Sequence, residues 1–383
     1  MKSNAQGSLR PGCATAAGTM RYARRFMTGG EARVARGHFR ERHGIWIASL
    51  GIGTYLGEPD EATDEGYTAA IVLAVESGTN VIDTASNYRF QRSERSVSAA
   101  ITKLLSKGYQ REELAICTKA GFLTPDGAMP ADASEYFNRT FVAPGILRPE
   151  DVAAGCHAMS PAYLEDQLAR SKRNMGLECV DVFYIHNPET QLGEVARLEF
   201  MERIARAFEW LESAVKEGSI RNYGMATWNG FRQAEDAQDY LSLEEIEALA
   251  RKAGGEEHHF RFVQLPFNLA MPEALLRINQ RAAGKSVSMT QAASALGITV
   301  VASASLLQGQ LARKLPAAVS AALGLDSDEL CALQFARSAP GIATALVGMR
   351  HTEHVRRNLS LAEIPPASRE EIMRVFARPS PAR

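Results

Sequence analysis

Four side chains that can bind or release a proton stand where apolar runs of the sequence end. One apolar run ends in Asp83, and Tyr88 follows five residues later. Two later runs end in Lys119 and in His186. If the runs are neighbouring parallel strands, their carboxyl ends lie together, and α/β barrels carry their chemistry at that end. The pattern therefore predicts one proton-transfer unit.

The chemistry that such a unit allows is protonation of an oxyanion as it forms. A phenol has an unperturbed pKa near 10, and an ammonium group within about 4–6 Å lowers that pKa. Asp83 beside Lys119 would keep the lysine charged, and a histidine can donate a hydrogen bond to a carbonyl oxygen. Protonation of a forming oxyanion is what carbonyl reduction needs. Side chains cannot supply the hydride for that reaction, so it requires a nicotinamide cofactor.

Each of the four residues also has a structural interpretation. Asp83 could cap the next segment, with Lys119 as its ion-pair partner. Tyr88 could be an amphipathic residue at a rim. His186 could satisfy a turn before the Asn-Pro pair that follows it. The coincidence of all four at successive strand ends favours the catalytic interpretation.

Eight apolar segments alternate with helical patterns along the chain. We predict strands at residues 48–55, 81–83, 114–118, 180–185, 220–225, 262–265, 298–302 and 343–347. Alternation without paired strands is typical of a parallel sheet, and eight strands favour closure into an α/β (β/α)8 TIM barrel. Gly51, Gly53 and Gly57 approach a dinucleotide fingerprint, but the last spacing is one residue too long for GxGxxG, which disfavours a Rossmann fold.

Composition argues against several classes of protein. Of 383 residues, 45% are hydrophobic and 23% are charged, and the net charge of -1 gives no indication of a nucleic-acid surface. No apolar run approaches the roughly 20 residues that a membrane helix needs. Five scattered cysteines without a CxxC pair predict reduced thiols in a cytoplasmic protein, with Cys117 and Cys179 in the core. We predict no metal site, because His258 and His259 lack partners at ligand spacing.

The first forty residues differ from the rest. They contain eight arginines or lysines and a single acid, Glu31. We expect residues 1–19 to be a disordered leader and residues 20–383 to form one barrel domain; a mitochondrial transit peptide or a natural start at Met20 are the alternatives. From about residue 22 to residue 47 we expect a short hairpin that caps the barrel floor.

After Lys119 the alternation breaks for about forty residues. The segment 120–159 contains four prolines with aromatic residues between them. A loop of this length inside a compact domain is usually functional or disordered, and its position predicts a pocket wall or a lid. The alternative is a solvent loop whose aromatics pack on one another. Ser93 is predicted to cap the helix after Tyr88, and residues 288–296 to form a later helix.

Taken in order, these motifs resemble the aldo-keto reductase family from about residue 20 to residue 361. The resemblance rests on LGIGTYLG, NVIDTASNY, ICTKAG, VDVFYIHNPE, IRNYGMATW, FVQLPFN and LVGMRHTEHVRRNL. It implies a (β/α)8 barrel that binds NADP(H) across its carboxyl face and delivers hydride to an aldehyde or ketone. Asp83, Tyr88, Lys119 and His186 match the family tetrad, with Tyr88 as general acid. Lys119 and Asp83 would tune the tyrosine, and His186 would orient the carbonyl.

The resemblance also implies residues around the nicotinamide. Gln264 matches the glutamine that holds the carboxamide. The neighbouring Ser-Asn pair of the family is replaced by Ala226 and Thr227, and only Thr227 keeps a hydrogen-bonding side chain. Ser303 stands where the family often stacks a tyrosine, and Trp228 could supply that stacking instead.

Two further segments match the phosphate-binding parts of the family. The first runs along the pyrophosphate and contains Leu306, Gln308 and Gly309. The second matches the adenosine-phosphate segment, with the residues Arg350, His354, Arg357 and Asn358. Its cations favour NADP(H) over NAD(H), because a 2′-phosphate attracts cations. A solvated basic helix start is the alternative.

The substrate is expected to be a small-molecule carbonyl compound. Tyr55, Phe90, Phe122 and Trp228 are the candidate apolar walls of its pocket. Two other functions stay open: an NAD(P)-dependent 1-dehydrogenase that oxidises a sugar or lactol, and a cofactor-binding regulatory subunit. The sequence predicts no nucleic-acid or membrane partner and names no partner protein.

Overall fold

A closed barrel of eight parallel strands forms the centre of the protein. The computed structural model describes residues 8–27 and 33–377. Its strands in chain order are β1 (Phe39–Arg42), β2 (Ile45–Ala48), β3 (Leu50–Gly53), β4 (Val81–Asp83), β5 (Ala115–Ala120), β6 (Val180–His186), β7 (Ile220–Ala226), β8 (Phe260–Pro266), β9 (Ile278–Ala282), β10 (Lys285–Ser288), β11 (Thr299–Ser303) and β12 (Ile342–Gly348). The barrel order is β3-β4-β5-β6-β7-β8-β11-β12, closing on β3. The predicted (β/α)8 fold is confirmed.

Helices lie between the strands and cover the outside of the barrel. They are α1 (Ala16–Met27), α2 (Glu61–Glu76), α3 (Arg92–Ser106), α4 (Ala133–Phe137), α5 (Pro161–Met175), α6 (Arg197–Lys216), α7 (Leu243–Gly254), α8 (Glu273–Leu276), α9 (Met289–Ala295), α10 (Ala317–Leu323), α11 (Asp328–Ser338), α12 (Thr352–Leu359) and α13 (Arg369–Arg374). Every residue of β5 and of β6 is buried, as expected for parallel strands with both faces covered.

Strand register places the predicted site residues side by side. Asp83 pairs with Cys117 across the β4–β5 ladder. Lys119 pairs with Tyr184 across the β5–β6 ladder. His186, at the end of β6, pairs with Ala226 at the end of β7. Since neighbouring strands end at the same level, their last side chains converge at the carboxyl mouth of the barrel.

The N-terminal segment differs from the expected disordered leader. Residues 8–15 lie against the protein, and α1 begins at Ala16, so the boundary expected at residue 20 falls inside a helix. Tyr22 packs on Phe26 and Phe39 and donates a hydrogen bond to the carbonyl of Val75 at 2.6 Å. The prediction of disorder is therefore wrong for residues 8–19, while residues 1–7 lie outside the described part of the chain.

A hairpin closes the amino end of the barrel, as expected, but it is shorter than predicted. It consists of β1 and β2, residues 39–48, whereas residues 22–27 belong to α1. The hydroxyl of Thr299 on β11 and the ring of His43 in the hairpin turn are hydrogen-bonded at 2.9 Å. Arg221 on β7 donates to the carbonyl of His43 at 3.2 Å.

Two local predictions also change. The helix after Tyr88 begins at Arg92, and the Ser93 hydroxyl, predicted to cap it, instead donates to the carbonyl of Thr54 at 2.8 Å. An antiparallel hairpin, β9–β10, interrupts the strand–helix alternation before β11. Its turn places Ala283 and Gly284 at positive φ, a conformation that an Ala-Gly pair signals only weakly compared with Asn-Gly.

The long segment after β5 contains both a self-packed aromatic cluster and a residue at the barrel mouth, the two alternatives that the sequence left open. Phe141, Leu147, Ala158 and Tyr163 form a separate buried cluster, with Tyr136 and Phe137 packed on it. Most aromatics of the segment therefore pack on one another. Phe122, however, lies edge-on to the His186 ring at 5.2 Å and forms part of the barrel mouth.

Candidate active site

Lys119 is the centre of the candidate site. Its buried ammonium group donates to Asp83 Oδ2 at 2.5 Å, to the carbonyl of Thr84 at 2.8 Å and to the Tyr88 hydroxyl at 3.2 Å. Three hydrogen bonds use all three N–H donors of a lysine. The structure thus joins three of the predicted residues through one ammonium group.

Tyr88 is held in place by the turn that follows it. Arg89, Phe90 and Gln91 all have positive φ, which reverses the chain into α3. The buried guanidinium of Arg89 donates to Asp64 at 2.5 Å and to Ser93 Oγ at 3.1 Å. A non-glycine residue in this conformation is strained, so these contacts keep the turn, and with it Tyr88, in position.

His186 completes the set from the end of β6. Its ring lies edge-on to Tyr88, with centroids 5.9 Å apart. The pKa of His186 lies well below its usual value because the ring is buried, and Lys119 and His157 lower it further. A neutral imidazole carries one N–H, so His186 can donate one hydrogen bond to an oxygen at the mouth.

The protonation states follow from burial and from the ammonium group. Burial raises the pKa of Tyr88, and the neighbouring Lys119 opposes that rise without cancelling it. Burial lowers the pKa of Lys119, but Asp83 and Tyr88 outweigh it, so the pKa is raised overall. Near neutrality the site therefore holds a protonated phenol beside a charged lysine. The expectation of a net lowered tyrosine pKa is not met.

A histidine that the sequence analysis missed supports His186 from behind. His157 lies 2.7 Å through Nε2 from the carbonyl oxygen of His186, and Gln191 lies 3.0 Å from its Nδ1. Arg203 donates to Gln191 Oε1 at 3.0 Å, which orients the amide so that its nitrogen faces His157. Burial lowers the pKa of His157 to about 4. His157 is thus neutral, with Nδ1 accepting from Gln191 and Nε2 donating to the His186 carbonyl.

Gln264 joins the same network from β8. Its amide nitrogen donates to Asp83 Oδ1 at 2.8 Å, so each oxygen of Asp83 has a different partner. Thr227, at the end of the neighbouring strand, has a buried hydroxyl without a hydrogen-bond partner in the described structure. Ser305, just after β11, has a buried hydroxyl in the same condition. Two unsatisfied hydroxyls therefore lie just beyond β7 and β11, the strands on either side of β8.

The two predicted phosphate segments differ in how far the structure assembles them. Ala304, Leu307, Gln308 and Gly309 have positive φ, so the chain around Leu306 is a tight irregular loop beyond β11. Arg350, His354 and Arg357 of the second segment are exposed, and the Arg350 guanidinium lies next to Gly57. Arg357 differs from Arg350 because it forms an ion pair with Glu329 of α11, and Asn358 is buried.

Two of the four predicted substrate walls contact the tetrad. Tyr55, 55% exposed, lies edge-on to Tyr88 at 5.0 Å, and Phe122 lies edge-on to His186. Trp228 is 45% exposed at the rim. Phe90 lies in the turn after Tyr88, where its carbonyl accepts a hydrogen bond from Gly127 at 2.9 Å. For Phe90 and Trp228 the described structure records no ring contact with the tetrad.

Glu189 is a second residue that the sequence analysis missed. One of its carboxylate oxygens accepts backbone N–H bonds from Trp228, Asn229 and Gly230 at 2.6, 2.9 and 3.3 Å. The pKa of Glu189 is raised because the group is buried. This carboxyl therefore shapes the loop that carries Trp228. A glutamate one residue after a proline gives no sequence signal of this role.

Among residues 8–27 and 33–377, no helix combines the length and apolarity that a transbilayer segment requires. Within these ranges no group of three or more His, Cys, Asp or Glu side chains is arranged to hold a metal ion. His258 and His259 contact different carboxylates, Glu247 at 3.2 Å and Glu212 at 2.8 Å.

Comparison with curated proteins finds partial relatives. D-threo-aldose 1-dehydrogenase from a Pseudomonas species is 27% identical over 187 residues, which cover 48% of this chain and 51% of that protein. NADH-specific methylglyoxal reductase from Escherichia coli strain K12 is 25% identical over 213 residues, which cover 54% and 56% respectively. The chain thus spans about half the length of the curated relatives that it matches.

Comparison with solved structures supports the fold, and a family model covers most of the chain. An aldo/keto reductase from Klebsiella pneumoniae, solved in complex with NADP and acetate, superposes with a TM-score of 0.57 at 19% identity and covers 92% of this chain and 97% of that one. The model of the Aldo/keto reductase family matches residues 49–377, which include all four tetrad positions. This protein is therefore a member of the aldo/keto reductase family.

Proposed function

We propose that the protein is an NADP(H)-dependent oxidoreductase that reduces an aldehyde or ketone to an alcohol, with Tyr88 as the general acid. The observation that carries this proposal is the Lys119 ammonium group, which contacts Asp83 and the Tyr88 hydroxyl at once. A phenol beside a fixed cation can give up its proton and be stabilised as phenolate afterwards. The His186 ring lies edge-on to Tyr88, where it can bind the same oxygen.

The residues at the mouth fit a nicotinamide. A carboxamide offers two N–H donors and one carbonyl acceptor, and unsatisfied hydroxyls follow β7 at Thr227 and β11 at Ser305, the two strands that neighbour β8. Gln264 uses its nitrogen on Asp83, which leaves its oxygen to accept from a carboxamide. The nicotinamide would supply the hydride. Ser303 replaces the stacking tyrosine often found in the family, and Trp228 remains the candidate for that contact.

The chain's own residues would perform the proton half of the reaction. His186 donates its N–H to the carbonyl oxygen and orients it, and Tyr88 gives its proton to that oxygen as negative charge develops. The Lys119 ammonium group, which Asp83 keeps charged, then stabilises the Tyr88 phenolate. His157 fixes the backbone of His186 through its carbonyl, which restricts where that ring can lie.

Preference for NADP(H) over NAD(H) rests on the exposed cation Arg350 and on the exposed His354. The Klebsiella pneumoniae structure contains NADP, whereas the Escherichia coli relative is named NADH-specific. Arg357 contributes less to this preference, since Glu329 already neutralises it. The leading proposal also includes a small-molecule carbonyl substrate, a single barrel domain and a cytoplasmic location.

A second candidate function is oxidation of a sugar or lactol at its anomeric carbon. It is favoured by the 27% identity to D-threo-aldose 1-dehydrogenase. In this direction the phenolate form of Tyr88 would accept the hydroxyl proton, and Lys119 would stabilise that form.

Fluorescence titration with NADPH and with NADH, followed by initial rates in both directions, tests the two candidates. The reductase proposal expects tighter binding of NADPH and reduction of aldehydes or ketones. NADH preference together with faster oxidation of aldoses would favour the dehydrogenase. Absence of binding to either nucleotide would overturn both candidates.

A further inference from the structure

The residues before α1 lie along the amino end of β6 as an extra strand-like segment. We call residues 8–15 the N-terminal strap. Arg10 forms a parallel bridge with Leu177. Its backbone N–H donates to the carbonyl of Gly176 at 2.9 Å, and its carbonyl accepts from the N–H of Glu178 at 2.9 Å. The strap is thus aligned with the residues that lead into β6.

Further contacts hold the end of the strap at the barrel floor. The backbone N–H of Ala14 donates to the buried carboxylate of Asp181 at 2.5 Å. The carbonyl of Ala14 accepts from the Arg221 guanidinium at 2.5 Å. Cys13 immediately precedes Ala14, and Cys179 lies two residues before Asp181. The bridge at Arg10 and the hydrogen bond at Ala14 therefore bring Cys13 next to the segment that contains Cys179.

The two thiols differ in accessibility and acidity. Cys13 is half-buried, whereas Cys179 is buried. The neighbouring Cys179 side chain lowers the pKa of Cys13 to about 6, against the effect of burial, and the guanidinium of Arg221 assists. The accessible thiolate attacks first in thiol–disulfide exchange, so Cys13 is the nucleophile and Cys179 the resolving thiol.

We propose that Cys13 and Cys179 form a reversible disulfide that fastens the N-terminal strap to the barrel floor, with a low-molecular-weight disulfide as oxidant. The Cys13 thiolate attacks one sulfur of the small disulfide, whose S–S bond breaks and releases one thiolate. Cys179 then loses its proton to solvent and attacks the Cys13 sulfur, which releases the second small thiol. Two protein thiols are oxidised, and one small disulfide is reduced to two thiols.

The expected consequence of this bond is a change in stability. The disulfide closes a long loop between the strap and β6, which restricts the unfolded chain. The strap lies at the amino end of the barrel, whereas the tetrad lies at the carboxyl end. The measurements that test the bond therefore need no substrate and no nucleotide, and their outcome is independent of the proposed function.

Mass spectrometry of the full-length protein after equilibration with graded ratios of oxidised to reduced glutathione tests the bond. Lysine or arginine residues separate Cys13, Cys117, Cys156 and Cys179, so trypsin places them on different peptides. We expect loss of two hydrogens from the intact mass and one cross-linked pair of peptides, containing Cys13 and Cys179. A stable glutathione adduct on Cys13, an unmodified protein, or a cross-link to Cys156 would overturn the proposal.

Two variants and a melting experiment complete the test. Cys13→Ser should abolish the cross-link, and Cys156→Ser, which removes another half-buried thiol, should leave it intact. The oxidised wild-type protein should unfold roughly 5 °C or more above its reduced form, a difference absent in Cys13→Ser. Equal unfolding temperatures for the oxidised and reduced wild-type protein would exclude the fastening role.

Discussion

Tyr88 is the residue whose removal should affect turnover most selectively. Tyr88→Phe deletes the hydroxyl that Lys119 contacts and keeps the ring that packs edge-on to His186. We expect the variant to fold and to bind NADPH normally while turnover falls by about 10²–10⁴, the range for a lost general acid. Steady-state rates and NADPH fluorescence titration measure the two effects separately.

Tyr55→Phe is the matched control for that experiment. Tyr55 lies against the same ring but is largely exposed, and Lys119 is not its hydrogen-bond partner. Its variant should change turnover far less than Tyr88→Phe. Equal losses of turnover in both variants would mean that the aromatic wall limits turnover. Full activity of Tyr88→Phe would show that the Tyr88 hydroxyl is not the general acid.

The candidate site was predictable where its residues end buried strands. Asp83, Lys119 and His186 each close an apolar run, so a one-dimensional pattern reveals their shared level in the barrel. His157 and Glu189 could not be found in this way. Both act through backbone groups of distant residues, and such contacts depend on how loops fold back, which spacing along the chain does not encode.

The element that should determine nucleotide preference is the start of α12. Arg350→Ala removes an exposed cation, and we expect NADPH affinity to fall by roughly 10- to 100-fold, the equivalent of one charged hydrogen bond. Affinity for NADH, which lacks the 2′-phosphate, should stay the same. Parallel fluorescence titrations with the two nucleotides measure the difference.

The same helix contains the control. Arg357→Ala removes a cation that Glu329 already neutralises, so it should weaken NADPH binding less than Arg350→Ala does. If Arg357→Ala had the larger effect, the ion pair with Glu329 would have to open when the nucleotide binds. Equal affinity of the Arg350→Ala and wild-type proteins for NADPH would show that the 2′-phosphate binds elsewhere.

Helix α1 should contribute measurably to stability, although it precedes the barrel. Tyr22 is fully buried against Phe26 and Phe39. Tyr22→Ala should lower the free energy of unfolding by about 3–5 kcal/mol, the range for loss of a large buried aromatic. Met27→Ala, at a 41% exposed position of the same helix, should stay within about 0.5 kcal/mol. Urea denaturation of both variants measures this, and a neutral Tyr22→Ala would contradict a docked helix.

Sequence pattern was informative for long repeated elements and weak for short ones. The eight barrel strands are confirmed because buried parallel strands give continuous apolar runs. Helix α1 was missed because its basic exposed face resembled a leader, and its apolar side makes sense only beside β1. The β9–β10 hairpin was missed because four- and five-residue strands depend on their neighbours for stability.

For the whole molecule, buried histidines should make stability depend on pH. Burial lowers the pKa of both His38 and His157 to about 4, from an unfolded value near 6.5. The unfolded chain therefore binds more protons between these values. The stability that each histidine contributes is fully present above about pH 6.5 and is lost as the pH falls towards 4, up to about 3 kcal/mol each.

Urea unfolding at about pH 7.5 and about pH 5 measures this dependence. These two conditions lie on either side of the ordinary histidine pKa of about 6.5. The His38→Gln variant should show a shallower loss than wild type, since one buried titrating group is removed. His351→Gln, at an exposed position, should retain the wild-type dependence. Identical slopes for the wild-type and His38→Gln proteins would rule out His38 as a source of the acid sensitivity.

Asp83 accepts hydrogen bonds from Lys119 on one oxygen and from Gln264 on the other. The nicotinamide side and the proton side of the site therefore share one carboxylate. Removing the Gln264 N–H leaves one oxygen of Asp83 unsatisfied and changes how strongly the other attracts Lys119. Substitutions on the nicotinamide side and on the proton side should therefore be non-additive in a thermodynamic cycle, because they perturb one hydrogen-bonded network. A substitution of Gln264 that alters cofactor choice would therefore also change the pKa of Tyr88, through Asp83 and Lys119.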